Sequence, residues 1–106
     1  MSQVKLVKFK FKPEGKQTWL DWSEELKRRK DEVIATLKDE GVRSESCFLD
    51  SDGETLYYFM EAEDFEKVRT AADKSTHPID ADHKVARQTS LEKIESLEVL
   101  FHFSTE

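Results

Sequence analysis

The sequence predicts an α+β domain of the ferredoxin-like kind, βαββαβ, in which a four-stranded antiparallel sheet carries its helices on one face. Three observations carry that prediction. Hydrophobic spacing switches along the chain between a period of two and a period near 3.6, which separates strands from helices. The stretches follow the order strand, long helix, strand, strand, helix, strand. No repeated motif and no Gly, Ser or Pro-rich linker divides the 106 residues, so residues 1–106 are expected to form a single domain.

Each element has its own signature. Residues 4–11, VKLVKFKF, send Val7, Phe9 and Phe11 to one side and Val4, Leu6, Lys8 and Lys10 to the other, as a strand does. Pro13, Glu14 and Gly15 end it. Over 16–40 the apolar positions Trp19, Trp22, Leu26, Val33 and Leu37 recur at helical spacing. The pairs Glu24 with Arg28 and Glu25 with Arg29 support an exposed helix face, and Gly41 offers the left-handed cap that ends it. Strands over 44–49 and 55–62 follow, joined by a turn at Asp50, Ser51, Asp52 and Gly53. The second, TLYYFMEA, is apolar enough on both faces to be a central strand. A helix starts near Asp64, whose carboxylate can cap it, and is expected to bury Phe65, Val68 and Ala72. Ser75 to Pro78 interrupt it. A short helix over 80–89 comes next, residues 90–95 belong either to it or to a connection, and 96–103, SLEVLFHF, reads as the last strand.

Composition narrows the function classes. With 23 acidic and 17 basic side chains the formal charge is −6, the wrong sign for a general nucleic-acid binder. Lys5, Lys8, Lys10 and Lys12 alternate along a strand, and Lys27 to Lys30 are interleaved with acids, so both groups are expected to be solvated faces. No apolar run approaches the ~20 residues of a membrane span, and the start lacks a secretory apolar stretch, which leads to the expectation of a cytoplasmic protein with no membrane partner. Cys47 is the only cysteine and is expected to be a small buried hydrophobe. No GxGxxG, phosphate loop, HExxH or GxSxG occurs, and no cofactor is expected. Because both faces of 56–62 are apolar or aromatic, a second copy of the sheet is expected to cover the face opposite the helices, giving a homodimer.

Candidate site residues fall in two groups. His77, Asp80, Asp82 and His83 bring two imidazoles and two carboxylates into seven residues. On a regular helix, positions six apart stand about 120° from each other, so no metal site is expected. Asp80 is expected to cap the next helix, Asp82 to sit in its first turn and His83 to lie at the surface, with His77 and His83 kept as ligand-binding candidates. The second group is His102 with Tyr58 and Glu61, a possible acid–base set, and Lys8 and Tyr57 as further lining of a cavity beside the sheet. Trp19 and Trp22 are expected in the core or at its rim.

The stretches KLVKFKFKPEGKQTWLDW, ESCFLDSDGETLYYFMEAED and STHPIDADH resemble a family of short uncharacterised bacterial proteins of the dimeric α/β-barrel superfamily, over nearly the whole chain. More remotely, the chain is similar to the L-rhamnose mutarotases in length, in Leu37, Lys38 and Gly41 at the end of the long helix, in Leu49 and Asp50 at the turn, and in the final apolar strand. Leu26 stands at about the place where those enzymes use a histidine. The resemblance implies the fold and the homodimer. A small cytoplasmic dimer that binds a small organic ligand between sheet and helices is therefore expected. The alternatives are a cofactor-free enzyme, monooxygenase-like or mutarotase-like, and a protein-interaction module.

Overall fold

A computed structural model describes residues 2–105. Its elements are β1 (Gln3–Phe11), α1 (Gly15–Arg28), α2 (Lys30–Glu40), β2 (Val42–Leu49), β3 (Thr55–Ala62), α3 (Phe65–Lys74), α4 (Pro78–Ser90) and β4 (Leu91–Ser96). All pairings are antiparallel and the strand order is β2, β3, β1, β4, so the expected ferredoxin-like sheet is the one formed. Register assigns the faces: Val7 and Cys47 lie opposite Tyr58 and Phe9 opposite Leu56, whereas Leu6 and Ser46 lie opposite Phe59 and Lys8 opposite Tyr57. The first set points to the helices, where Trp19, Leu56, Ala86 and Leu91 form one core cluster and Val42, Ala62 and Val68 a second. Residues 6, 8, 57 and 59 look out from the opposite face, on which no helix packs among the described residues.

Several expected caps and turns are present. The Asp64 carboxylate accepts from the Glu66 N–H at 2.9 Å, and Gly41 ends α2 at φ 79°. At the β2–β3 turn, Asp52 accepts from the N–H groups of Glu54 and Thr55 and from the Thr55 hydroxyl. Val68 is buried as expected, while Ala72 is exposed, because α3 leans on the sheet through Phe65 and Val68 and turns its last residues to solvent.

The long helix is two helices. The break falls at Arg29, whose backbone leaves helical values at φ −105°, ψ 34°. Each half follows its own partner, α1 against α4 and α2 against α3. The Arg29 guanidinium braces the corner by pairing with Glu32 at 2.8 Å and Asp82 at 2.9 Å, and it stands over the Trp22 ring at 5.9 Å.

The last strand comes earlier than the alternation of 96–103 suggests. Ser90 is fully buried, and its carbonyl accepts from the Lys12 N–H at 2.8 Å. A methyl group on Gly15 would collide with that carbonyl, so only glycine lets the start of α1 approach the end of α4 this closely. The chain therefore leaves α4 directly into the sheet, with Leu91 opposite Phe11, and LEKIES takes the edge beside β1. Pairing ends where Leu97 N–H donates to Leu6 O at 2.8 Å, which leaves 98–105 as an arm without regular structure. Cys47 is exposed rather than buried, since its strand is the other edge of the sheet.

Candidate functional site

The layer between α1, α4 and the β2–β3 side of the sheet gathers four perturbed groups, Tyr58, His83, Glu45 and Cys47, whereas the pockets of the molecule open on the α2–α3 side. Helical spacing puts Trp19 and Trp22 on the inner face of α1, and α4 brings His83 between them. The His83 ring centroid lies 5.8 Å from that of Trp19, 6.0 Å from Trp22 and 6.1 Å from Tyr58, so three aromatic rings wall it in. β3 contributes Tyr58 from its helix-facing register, and β2 contributes Glu45 and Cys47 beside it.

Hydrogen bonding gives this group a direction. Trp22 Nε1 lies 2.9 Å from His83 Nδ1. An indole N–H only donates, so Nδ1 is the acceptor and the ring proton sits on Nε2. Nε2 faces the Tyr58 hydroxyl at 3.3 Å, and the Glu45 carboxyl stands close enough to that hydroxyl for each to shift the other's proton affinity. The chain thus runs from Trp22 through His83 to Tyr58, oriented by the single indole donor at its start, with Glu45 beside its far end.

Burial sets the charges. His83 is pushed down to about 4, first by desolvation and then by the charge of Arg87 one turn further along α4, so the imidazole is neutral at pH 7. Tyr58 is held well above its ordinary value by burial and by Glu45. Desolvation raises Glu45, and the Tyr58 hydrogen bond partly offsets the rise. A carboxyl raised in this way is a proton acceptor and donor nearer to neutral pH than an exposed one. Trp19 is 1% exposed, and among the described residues its Nε1 makes no hydrogen bond of normal geometry, standing toward the Cys47 thiol, whose proton affinity it lowers. A buried unsatisfied donor carries a penalty of about 1 to 3 kcal/mol, which an oxygen arriving from outside would relieve.

The expected site residues distribute over three places. His83 and Tyr58 meet in this aromatic layer. His83 is partly buried there, not at the surface, because α4 turns it into the aromatic wall. His102 and Glu61 meet on the helix-free face, 3.6 Å apart, and the Ser2 hydroxyl bridges them at 3.0 and 2.7 Å. Tyr58 cannot join that pair, since residues 58 and 61 of one strand point to opposite faces. Lys8 and Tyr57 are register partners on the same helix-free face. His77 lies at the other end of α4, 2.6 Å from Asp39 of α2, whose hydrogen bond raises the imidazole's affinity for its proton.

The capping roles also differ from expectation. His77 occupies the N-cap position of α4 without a side-chain bond, and Asp80 is the third helical residue. Its carboxylate accepts from Thr36 Oγ1 at 2.5 Å and from the Ser75 hydroxyl, tying α4 to α2 and to the α3–α4 link. Asp82 pairs with Arg29. Among the described residues, no three or more His, Cys, Asp or Glu side chains converge as metal ligands would.

Glu45 is the residue that sequence reasoning passed over. Its signal was available: Glu45, Cys47 and Leu49 share one face of a strand, and a carboxylate on the inward face of a sheet calls for a partner.

Fold and site together define a ferredoxin-like α+β protein with an aromatic cluster between sheet and helices around His83 and Tyr58, and Glu45 beside it. The chain belongs to DUF6176, a family of unknown function, whose pattern matches residues 2–106. No curated protein matches it. Among solved structures it is similar to a conserved protein of unknown function from Bacteroides thetaiotaomicron described as a possible oxidoreductase, with a TM-score of 0.56 and 17% identity over 91% of this chain and 96% of that one. A protein from Mycobacterium tuberculosis aligns with a TM-score of 0.58 and 15% identity over 98% of this chain and 100% of that one. One from Pseudomonas aeruginosa gives 0.56 and 13% over 98% and 97%. At these identities the likeness establishes the fold.

Proposed function

We propose that this protein is a cytoplasmic homodimer that binds a small organic molecule between sheet and helices and moves a proton to or from it through Glu45, without a cofactor. The carrying observation is the directed chain from Trp22 through His83 and Tyr58 to a carboxyl whose proton affinity burial has raised. The indole N–H of Trp19, beside the Cys47 thiol and without a hydrogen bond of normal geometry among the described residues, supplies a donor for a ligand oxygen, and the rings of Trp22 and Tyr58 supply an apolar wall. Acid–base work of the mutarotase kind would fall to Glu45 here, because Leu26 has no proton to give. The sheet face away from the helices, with Leu6, Tyr57 and Phe59, supports the dimer, and the absence of any helix long and apolar enough to cross a membrane among the described residues fits a cytoplasmic setting.

The test is a fluorine NMR screen of small aromatic alcohols, ketones and sugars bearing a fluorine label. Binders of the wild type are expected to lose at least tenfold in affinity to Glu45→Gln and Tyr58→Phe while both variants keep their fold. Binders indifferent to both substitutions, or none at millimolar concentration, would overturn the assignment.

A further inference from the structure

Cys47 stands where two features of the fold meet. It is the one cysteine among the 106 residues, and its register opposite Tyr58 turns it to the helix side of the sheet, away from the helix-free face. Its thiol is nevertheless open to solvent, because β2 is an edge strand whose second half is left uncovered, with Leu49 on the same face 46% exposed. Behind it lies Trp19, whose ring centroid is 6.4 Å from that of Tyr58. The Trp19 side chain is fully enclosed, and its Nε1–H stands toward the Cys47 thiol without a hydrogen bond of normal geometry among the described residues. A thiol sulfur is a weak acceptor, so a buried donor is held toward an atom that does not satisfy it. One oxygen on that sulfur would.

We infer that Cys47 is a site of reversible oxidation by hydroperoxides that stops at the sulfenic acid, whose oxygen accepts from the Trp19 indole N–H. The step balances on named atoms. Cys47 Sγ, as the thiolate after its proton has passed to solvent, attacks the hydrogen-bearing oxygen of the peroxide. An S–O bond forms, and the O–O bond breaks with its electron pair leaving on the other oxygen. That oxygen takes a proton from solvent and departs as water, or as an alcohol when the oxidant is an alkyl hydroperoxide. Sulfur is oxidised by two electrons and the peroxide is reduced by two. Burial and the charge of Glu45 hold the thiol's proton affinity up, so thiolate is scarce and the reaction is slow. The same surroundings keep the product as the neutral acid, which attacks a second peroxide less readily than its anion would. No second cysteine of the chain can resolve it as an internal disulfide. What the site supplies is retention of the product, not speed.

The full chain treated with millimolar hydrogen peroxide tests this by two readouts. With dimedone present, intact mass is expected to show one adduct per chain, absent from Cys47→Ser and absent when dithiothreitol precedes dimedone. In nitrogen-15-labelled protein the Trp19 indole N–H resonance, assigned by its contacts to the Tyr58 ring, is expected to move downfield on oxidation while that of Trp22 stays, and to return with dithiothreitol. Trp19→Phe, checked for its fold by circular dichroism, is expected to accumulate at least tenfold more sulfinic acid than the wild type. No adduct on the wild type, an adduct that leaves the Trp19 resonance unmoved, or a disulfide between two copies in place of the adduct overturns the inference. Equal sulfinic acid in the wild type and in folded Trp19→Phe does so too, and if that variant does not fold the wild-type resonance decides alone.

Discussion

The two halves of the helix layer solve the same packing problem with opposite chemistry. Between α1, α4 and the sheet the core is aromatic: Trp19, Leu56, Ala86 and Leu91 are flanked by Phe9, Phe11, Trp22 and Tyr58. Between α2, α3 and the sheet it is mostly aliphatic, with Val42, Ala62 and Val68 flanked by Leu37, Met60 and Phe65. Polar groups follow suit. His83 in the aromatic half is kept neutral by burial, whereas His77, two turns earlier in the chain, is drawn toward its charged form by Asp39. In the aliphatic half Glu40 is raised to about 7 by partial burial and by the charges of Asp80 and Glu45. One residue type, at the cap and in the body of α4, thus takes opposite shifts, and the deciding variable is whether desolvation or a neighbouring carboxylate dominates.

The sharpest way to break this comparison is to hollow each half in turn. Trp19→Ala removes the largest fully buried side chain and is expected to cost about 3 to 5 kcal/mol, against about 1.5 kcal/mol for Val68→Ala. Urea midpoints measure both. Equal losses would mean that the two halves share the load and that the aromatic cluster is not the principal core.

The next effect is a pH dependence with a definite sign. In the unfolded chain His83 takes up a proton near 6.5, but in the fold it does so only near 4. Between those values the unfolded state binds more protons, so stability present above pH 6.5 is lost as the pH falls, by up to about 3 kcal/mol. Relative to His83→Gln, whose side chain also accepts from Trp22, the wild type is expected to lose most of that amount between pH 7 and 4.5. Parallel urea-derived profiles for the two proteins would contradict a desolvated His83.

Glu40 sharpens the comparison from the other side and with a smaller amplitude. Its folded proton affinity is raised from 4.5 to about 7, so the unfolded state releases the proton first and stability is lost as the pH rises through this window. Solvent screening of a half-buried carboxylate reduces the effect to about 1 kcal/mol. Glu40→Gln is expected to be the more stable protein at pH 8 and equal to the wild type at pH 4.5, read from melting temperatures at the two values.

Much of the fold was legible because its signals are local. The alternation of 4–11 and 55–62, the Asp64 cap and Gly41 each report on a few neighbouring residues, and each appears where it was expected. The last strand was not legible, because SLEVLFHF alternates more strongly than LEKIES. The edge position went to the weaker sequence since the Gly15–Ser90 contact fixes where the chain enters the sheet. The site was half legible. Tyr58 and His83 were candidates on chemical type, but His102 and Glu61 lie on the other face, and Glu45 carried no motif.

The sequence by itself determined the periods, the stops and the order of elements, because backbone geometry couples each residue to neighbours at fixed short spacings. Only the tertiary structure decided which strand took the edge, which histidine lost its charge and which carboxyl gained proton affinity. Those outcomes depend on burial and on partners brought together from distant parts of the chain, and desolvation has no counterpart in the order of residues alone.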